Sequence, residues 1–281
     1  MDKMSLSEKL TYSTVLITCK HADGTGCTGT GFIINLCKNE EQHTCVPVII
    51  TNNHVIENSI ETRYEFCLQN EAGLPDDRIS YSVTYSGNGW IHHPDANIDL
   101  SCLPLAAILT QLNQRNVKVF YIPLETSLIP SQSDVEQLSA MEEVVMVGYP
   151  IGLADTYNHK PIIRKGITAT HIKKDYQGKK EFLVDMACFP GSSGSPIFIL
   201  NEGMYHIGNS VCAGDRISFI GILYAGPQYS ATGELILMEH TPFPHSVTKI
   251  PTNLGIVIKA EKILEFEKMF NEKRFRNGEN Q

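Results

Sequence analysis

Short strand patterns recur along almost the whole chain, and no long helical pattern separates them. They are rich in Val, Ile, Thr and aromatic residues, and several alternate in polarity, which is typical of β-strands. In the first part of the chain they lie at 11–19, 30–36, 46–51, 64–68, 79–85, 98–103 and 117–121. Strands that follow one another at roughly 8 to 15 residues, without intervening helices, predict an antiparallel barrel or sandwich.

A polar segment divides these patterns into two series. Residues 125–142 form the most polar interior stretch, and we interpret them as a linker. The second series lies at 144–147, 162–172, 182–186, 197–200, 218–224, 235–239 and 254–258. We therefore divide the chain into a first β unit at 10–124, the linker, a second β unit at 143–258 and a terminal helix at 259–276.

The terminal helix is predicted from the spacing of its apolar residues. Ile263, Phe266 and Phe270 recur at the period of an amphipathic helix. We expect the apolar stripe that they form to pack on the second β unit.

The charge of the chain excludes several classes of function. It carries 23 basic and 31 acidic side chains, a formal net charge of −8. The densest basic cluster, at 259–276, is interleaved with glutamates and is typical of a solvated helix face rather than of a polyanion-binding surface. No apolar run approaches the ~20 residues of a membrane span, and the first residues lack the apolar stretch of a secretory signal. We expect a cytoplasmic protein with no membrane and no nucleic-acid partner.

The eight cysteines are expected to be free thiols. The chain is well above the size that needs disulfides, and without a secretory signal thiols within strands behave as small buried hydrophobes. No C-x-x-C pair occurs, which leaves a structural zinc site or a redox pair without support. We expect no metal and no cofactor.

The string G-T-G-C-T-G at 24–29 matches the dinucleotide-binding pattern G-x-G-x-x-G. That pattern binds a pyrophosphate only when a helix follows it. Here the next residues are T-G-F-I-I-N, which form a strand pattern. We therefore interpret these glycines as a tight hairpin and exclude a nucleotide site.

A glycine-flanked serine lies between two apolar strands, in the segment F-P-G-S-S-G-S-P-I at 189–197. Glycines on both sides of a serine let the backbone aim two N–H groups into one concavity, as an oxyanion hole requires. The same string is also compatible with an ordinary flexible loop. A nucleophile elbow is excluded, because Ser195 stands where the G-x-S-x-G pattern needs its last glycine and because the candidate partners precede the serine.

Two candidate partners of this serine come earlier in the chain. His54 follows the apolar strand at 46–51; a histidine at a strand end is more often structural, and the chain has ten. Asp99 lies inside an apolar segment, where a carboxylate is costly to bury unless a donor such as an imidazole N–H satisfies it. The alternative is an edge-strand aspartate that faces water. Asp95 is a rival that ranks lower, because it lies in a turn.

The segments T-N-N-H-V, N-I-D-L and G-S-S-G-S-P, in this order, resemble the chymotrypsin/trypsin-like serine protease superfamily. Within it they are most similar to the bacterial HtrA and glutamyl-endopeptidase members. The resemblance extends from 28–32 through 147–150 to 219–222. It implies an all-β fold of two six-stranded antiparallel β-barrels with the active site between them, followed here by the C-terminal helix.

The resemblance also implies a role for each site residue. Ser193 would be the nucleophile, His54 the general base and then acid, and Asp99 the group that orients the histidine. The N–H groups of Gly191 and Ser193 would form the oxyanion hole. Ser192 is a departure, because an aspartate at this position receives the freed N-terminus in trypsin-like zymogens, and a serine cannot form that ion pair.

The specificity pocket follows from the same alignment. Its floor would lie near Ala187, its entrance near Pro190, and one wall along Leu223, Tyr224, Ala225 and Gly226. No Asp stands where selection for Lys or Arg needs one, and no His stands at the Leu223 position that glutamyl endopeptidases use. We expect cleavage after small or medium apolar residues.

The resulting hypothesis is a serine endopeptidase that acts on a protein or peptide through a Ser-His-Asp triad and an acyl-enzyme. With no zymogen switch, we expect restricted substrate choice or a regulatory protein partner. One alternative is a catalytically silent protease-fold module that binds peptides. Another is a non-proteolytic acyl hydrolase on the same scaffold.

Overall fold

The first half of the chain forms a nine-stranded sheet. In the computed structural model, which describes residues 4–87, 89–208, 210–233 and 246–278, the hydrogen-bonded path runs β5-β4-β1-β2-β3-β7-β6, with β8 paired to β4 and β9 parallel to β2. The strands are β1 (Thr14–His21), β2 (Gly26–Asn39), β3 (Thr44–Thr51), β4 (Ser59–Gln69), β5 (Pro75–Tyr85), β6 (Ile91–His92), β7 (Ser101–Pro104), β8 (Val119–Phe120) and β9 (Leu124–Glu125).

The second half forms a closed barrel of six strands. Its order is β10-β11-β12-β19-β16-β13. These strands are β10 (Glu143–Gly148), β11 (Ile162–Thr168), β12 (Glu181–Asp185), β13 (Pro196–Asn201), β16 (Arg216–Ala225) and β19 (Leu254–Lys259). Two hairpins lie outside the barrel, β14 (Met204–Ile207) with β15 (Ser210–Ala213) and β17 (Gln228–Gly233) with β18 (Ser246–Pro251). The strand predicted at 235–239 lies outside the described residues.

The all-β class with a C-terminal helix is therefore confirmed. The closed six-stranded barrel is the second half, whereas the first half is a sheet of nine strands. The additional strands there include β6 and β9, which are two residues long and too short to produce a periodic pattern in the sequence.

Helices are short apart from the terminal one. The α-helices are α1 (Leu6–Thr11), α2 (Asn53–Ile56), α3 (Ala106–Gln114), α4 (Gln132–Gln137) and α5 (Leu264–Gly278), and 3-10 turns lie at Thr126–Leu128, Pro150–Gly152, Tyr176–Gly178 and Ala260–Ile263. The segment predicted as a linker, 125–142, thus carries a 3-10 turn and α4. Among the described residues, no helix is long and apolar enough to cross a membrane.

The terminal helix joins a hydrophobic core that both halves share. Ile263 and Phe266 are fully buried in one cluster with Phe32 of β2 and Phe219 of β16. The rings of Phe32 and Phe219 meet edge to face, 5.3 Å between centroids. The Glu267 carboxylate also accepts the backbone N–H of Cys37 at 2.7 Å. The helix therefore packs on the first sheet as well as on the second barrel, whereas the sequence predicted the second unit alone.

Candidate active site

A four-residue helix places His54 against a carboxylate at the end of the first sheet. Helix α2 begins directly after β3, whose buried Val and Ile residues fix the direction of the chain. His54 Nδ1 lies 2.5 Å from Asp99 Oδ2, and the backbone N–H of His54 donates to Asp99 Oδ1 at 3.1 Å. Both oxygens of one carboxylate thus contact the histidine, which fixes the position and the orientation of its ring.

Two asparagines hold this pair from behind. The Asn52 side chain donates to the Asp99 carbonyl at 2.8 Å, and that of Asn53 donates to the Ile98 carbonyl at 3.4 Å. Asn52 is fully buried. Sequence reasoning missed both residues, although the polar N-N pair between an apolar strand and the histidine was a signal, because buried amides need partners.

The rival aspartate does not reach His54. Asp95 accepts the backbone and side-chain N–H groups of Asn97, both at 3.0 Å, within its own turn. These bonds hold the pKa of the exposed carboxyl below its usual value. Asp95 is therefore a turn residue, as its lower rank assumed.

The serine loop adopts a backbone shape that requires glycine on both sides of Ser193. Gly191 has φ +85° and Gly194 has φ +87°, in the left-handed region that favours glycine. A Cβ on Gly191 would lie 2.8 Å from both the Tyr149 carbonyl oxygen and the Ile151 nitrogen. A Cβ on Gly194 would collide with the carbonyl oxygen of Thr30. The ordinary flexible loop, which remained open at the level of sequence, does not describe this packed segment.

The peptide between Pro190 and Gly191 has a defined direction. The Pro190 carbonyl accepts the Ile151 N–H at 2.5 Å. Because C=O and N–H of a trans peptide point in opposite directions, the Gly191 N–H points away from Ile151. Within the described part of the chain, neither the Gly191 N–H nor the Ser193 N–H donates to an acceptor. Both N–H groups are therefore donors without an acceptor among these residues.

Thr30 of β2 makes four hydrogen bonds, two of which tie the serine loop to the first sheet. Its backbone N–H donates to the Ser193 carbonyl at 2.9 Å, and its hydroxyl donates to the Gly191 carbonyl at 3.1 Å. The same hydroxyl accepts the Tyr149 N–H at 2.9 Å, and the Thr30 carbonyl accepts the Thr51 hydroxyl at 2.7 Å. Thr30 is fully buried. Sequence reasoning missed this residue, since nothing local distinguishes it from any other strand threonine.

Ser193 and His54 are not hydrogen-bonded to each other. The Ser193 hydroxyl instead donates to the Tyr224 carbonyl at 3.4 Å, a long bond. Ser192, in turn, is fully buried, and its hydroxyl has no partner among the described residues. The structure thus joins His54 to Asp99 and holds Ser193 in a shaped loop between two glycines.

A cavity of about 180 Å³ opens beside Ser193. Five of the six predicted pocket residues line it, and Ala187 does not; the full lining is Cys188, Phe189, Pro190, Ser193, Leu223, Tyr224, Ala225, Gly226, Pro227, Gln228 and Pro251. The residue next to Ala187, Cys188, does line the cavity, together with Phe189 and Pro190. The Ala187 carbonyl accepts the Arg164 guanidinium at 2.7 Å.

The cavity contains no charged group among these lining residues. Burial raises the pKa of the Cys188 thiol to about 11, so that it is neutral at ordinary pH. A side chain that enters this cavity would therefore meet carbon, sulfur, hydroxyl, amide and backbone atoms.

A comparison with protein families matches residues 29–204 to the trypsin-like peptidase domain. Among solved structures, the HtrA-type protease AlgW with a tripeptide is 14% identical, with TM-score 0.47 over 92% of this chain and 59% of that one. The active form of the Rv3671c protease from M. tuberculosis is 12% identical, with TM-score 0.40 over 91% and 79% of the two chains. Deg5 is 14% identical, with TM-score 0.42 over 79% and 88%.

The chain thus spans 59% of the length of AlgW. A search of curated proteins found no match. The family match alone covers more than half of the sequence, and it includes the segments that carry His54, Asp99 and Ser193. This chain belongs to the trypsin-like peptidase domain family.

Proposed function

We propose that the protein is a serine endopeptidase in which Ser193, His54 and Asp99 cleave peptide bonds through an acyl-enzyme. The observation that carries this proposal is the pairing of His54 Nδ1 with Asp99 Oδ2 at 2.5 Å. A carboxylate can only accept a hydrogen bond, so Nδ1 carries a proton, and in the neutral ring Nε2 then keeps its lone pair. That tautomer is the one that a general base needs.

The reaction begins when substrate binding releases the Ser193 hydroxyl from its long bond to the Tyr224 carbonyl. His54 Nε2 accepts the hydroxyl proton while Ser193 Oγ attacks the scissile carbonyl carbon. The oxyanion that forms accepts the N–H groups of Gly191 and Ser193. His54 then gives the proton to the leaving amine, and a water molecule, activated in the same way, hydrolyses the acyl-enzyme.

The Pro190 carbonyl bond to Ile151 supports the oxyanion hole in this scheme. Because it fixes the direction of the Gly191 N–H before substrate arrives, no reorganisation is needed when negative charge develops. Removal of one such donor typically costs roughly 100- to 1,000-fold in rate.

The cavity beside Ser193 supports cleavage after small or medium apolar residues. Its volume is about 180 Å³ and its lining has no charge. A charged substrate side chain would lose its hydration there without gaining an opposite charge. A peptide library tests this point: we expect small and medium apolar residues before the cleaved bond, and a profile dominated by Arg, Lys or Glu contradicts it.

A peptide-binding module without turnover is the second candidate. It is favoured by one observation, the bond of the Ser193 hydroxyl to Tyr224 rather than to His54. Such a module would bind a peptide segment in the cleft without cleaving it.

Labelling with a fluorophosphonate separates the two candidates, because only an activated hydroxyl reacts. We expect an adduct on Ser193, located by mass spectrometry, which Ser193→Ala and His54→Ala both abolish. Ser210→Ala and His206→Ala are matched controls, since both residues are exposed in the β14–β15 hairpin, and they should label like the wild type.

Failure of the folded wild type to label overturns the serine hydrolase and favours the binding module. Labelled protein is then tested on peptide and ester substrates. Ester turnover without peptide turnover would show an acyl hydrolase instead of an endopeptidase.

A further inference from the structure

Two thiols meet against the backbone of the helix that carries His54. Cys19 of β1 and Cys27 of β2 are directly opposed in the antiparallel register. Cys19 Sγ donates to the Val55 carbonyl at 3.0 Å, and Cys27 Sγ donates to the same oxygen at 3.2 Å. Val55 is the residue after His54. The two sulfur atoms therefore converge on one point of helix α2.

The strand register allows these thiols to be joined. Directly opposed residues of an antiparallel pair have Cα atoms about 4.5 or 5.5 Å apart. Disulfides occur at Cα separations of about 4.4 to 6.8 Å. A bond between the two sulfur atoms thus needs rotation of both side chains away from the Val55 carbonyl, and no separation of the strands.

The two thiols differ in access. Cys19 is 1% exposed, and burial together with the neighbouring Cys27 thiol raises its pKa to about 12. Cys27 is only half-buried. An oxidant in solution therefore reaches Cys27 first and leaves Cys19 as the resolving thiol.

We propose that Cys19 and Cys27 form an oxidation site at which a peroxide converts the thiol pair into a disulfide and so displaces the helix of His54. The Cys27 thiolate attacks a peroxide oxygen, the O–O bond breaks, and a sulfenic acid forms as hydroxide leaves and takes up a proton. The Cys19 sulfur then attacks the Cys27 sulfur; the S–O bond breaks, and the Cys19 proton leaves with the hydroxyl as water. The peroxide is reduced, and the two thiols are oxidised.

The disulfide affects helix α2 because it removes both donors of the Val55 carbonyl. Val55 cannot settle closer to β2, since its methyl groups already fill the space above Gly29, where even a Cβ would collide with them. The helix must therefore turn to find another donor for this carbonyl. That movement shifts His54 relative to Asp99. The effect on turnover rests on the proposed function, whereas formation of the disulfide does not.

Mass spectrometry of the full chain tests the linkage directly. Lys20 lies between the two cysteines, so digestion after lysine leaves them on separate peptides. After treatment with hydrogen peroxide and blocking of free thiols, we expect these peptides to be linked with the loss of two hydrogens. Cys27→Ser should abolish the link and Cys212→Ser, in β15, should retain it. No link under conditions that oxidise the exposed Cys45 overturns the proposal.

Fluorophosphonate labelling before and after peroxide tests the coupling to His54. We expect the labelling rate of the wild type to fall about tenfold or more and to return with dithiothreitol, while Cys19→Ser and Cys27→Ser keep their own untreated rates. A complete link without loss of labelling overturns the coupling. If the untreated protein does not label at all, the proposed function fails, and the mass test of the disulfide still stands.

Discussion

Replacement of Thr30 by valine tests whether one hydroxyl holds the serine loop to the first sheet. Valine has nearly the same shape, so the strand keeps its packing, but the Tyr149 N–H loses its acceptor at 2.9 Å and the Gly191 carbonyl loses its donor at 3.1 Å. A buried polar group left without a partner costs about 1 to 3 kcal/mol. Two such groups predict a loss of about 2 to 6 kcal/mol in the free energy of unfolding.

The rate of fluorophosphonate labelling should fall as well, and by more than the smaller fraction of folded protein explains. The Gly191 carbonyl belongs to the peptide that follows the Gly191 N–H, so loss of its donor lets this N–H turn out of position. Loss of one oxyanion donor lowers the rate roughly 100- to 1,000-fold. Urea unfolding gives the change in stability, and labelling is measured where both proteins are folded.

Two variants control this experiment. Thr30→Ser keeps the hydroxyl and should retain most of the labelling rate. Thr28→Val makes the same chemical change on the same strand, at a residue whose hydroxyl has no hydrogen bond among the described residues, and should leave the rate unchanged. If Thr30→Val unfolds and labels like Thr28→Val, the bridging role of the hydroxyl is refuted.

Three further changes test other parts of the site and the fold. Asp99→Asn should lower the rates of labelling and of peptide turnover by about 10⁴-fold, because an amide no longer holds the His54 proton on Nδ1. Stopped assays at neutral pH measure both rates, and unchanged rates would remove Asp99 from the proposed triad. Gly226→Val places two methyl groups in the cavity beside Ser193 and should shift the peptide-library profile towards the smallest residues; an unchanged profile would show that this cavity does not bind the substrate side chain. Asp77→Asn should destabilise the protein at pH 7, and the difference should shrink below about pH 4. Burial opposes ionisation of Asp77, yet hydrogen bonds from Lys160 and Tyr12 hold its pKa below the usual value. The stabilisation by the ionised carboxylate is therefore present above the pKa of the unfolded state and is lost as the pH falls through the lower pKa of the folded state. Urea unfolding across this range measures the last effect, and a difference that persists at low pH would contradict it.

Strand positions were predictable for most of the longer strands, although β17 and β18, six residues each, overlap no predicted segment. Strands β1 to β5 and β10 to β13 each overlap a predicted segment, because several consecutive residues alternate or are β-branched. The β14–β15 hairpin was not predicted, since its two strands are only four residues each and their mostly exposed residues show no alternation in polarity.

Pairings across the chain were predictable only where chemistry restricted the choice. Asp99 was singled out because a carboxylate within an apolar segment needs a donor, and its role followed from the resemblance. Cys19 and Cys27 were overlooked, because a search for the spacing C-x-x-C tests neighbours in sequence and a hairpin brings together residues at other spacings. The pocket floor near Ala187 stays a prediction, since its neighbour Cys188 lines the cavity and Ala187 itself does not.

Thr30 shows why the shape of the serine loop is a property of both halves rather than of its own sequence. The glycines at 191 and 194 permit the required backbone angles, but they permit many others equally well. Contacts from residues outside the loop select one of these conformations. Thr30 donates to the carbonyls of Gly191 and Ser193, and Ile151 donates to that of Pro190. Thr30 also accepts the hydroxyl of Thr51, the last residue of β3, two residues before the helix of His54 begins. A displacement of β2 would therefore move both parts of the site at once, which makes the packing of the two halves, and not the loop sequence alone, the condition for a correctly shaped site.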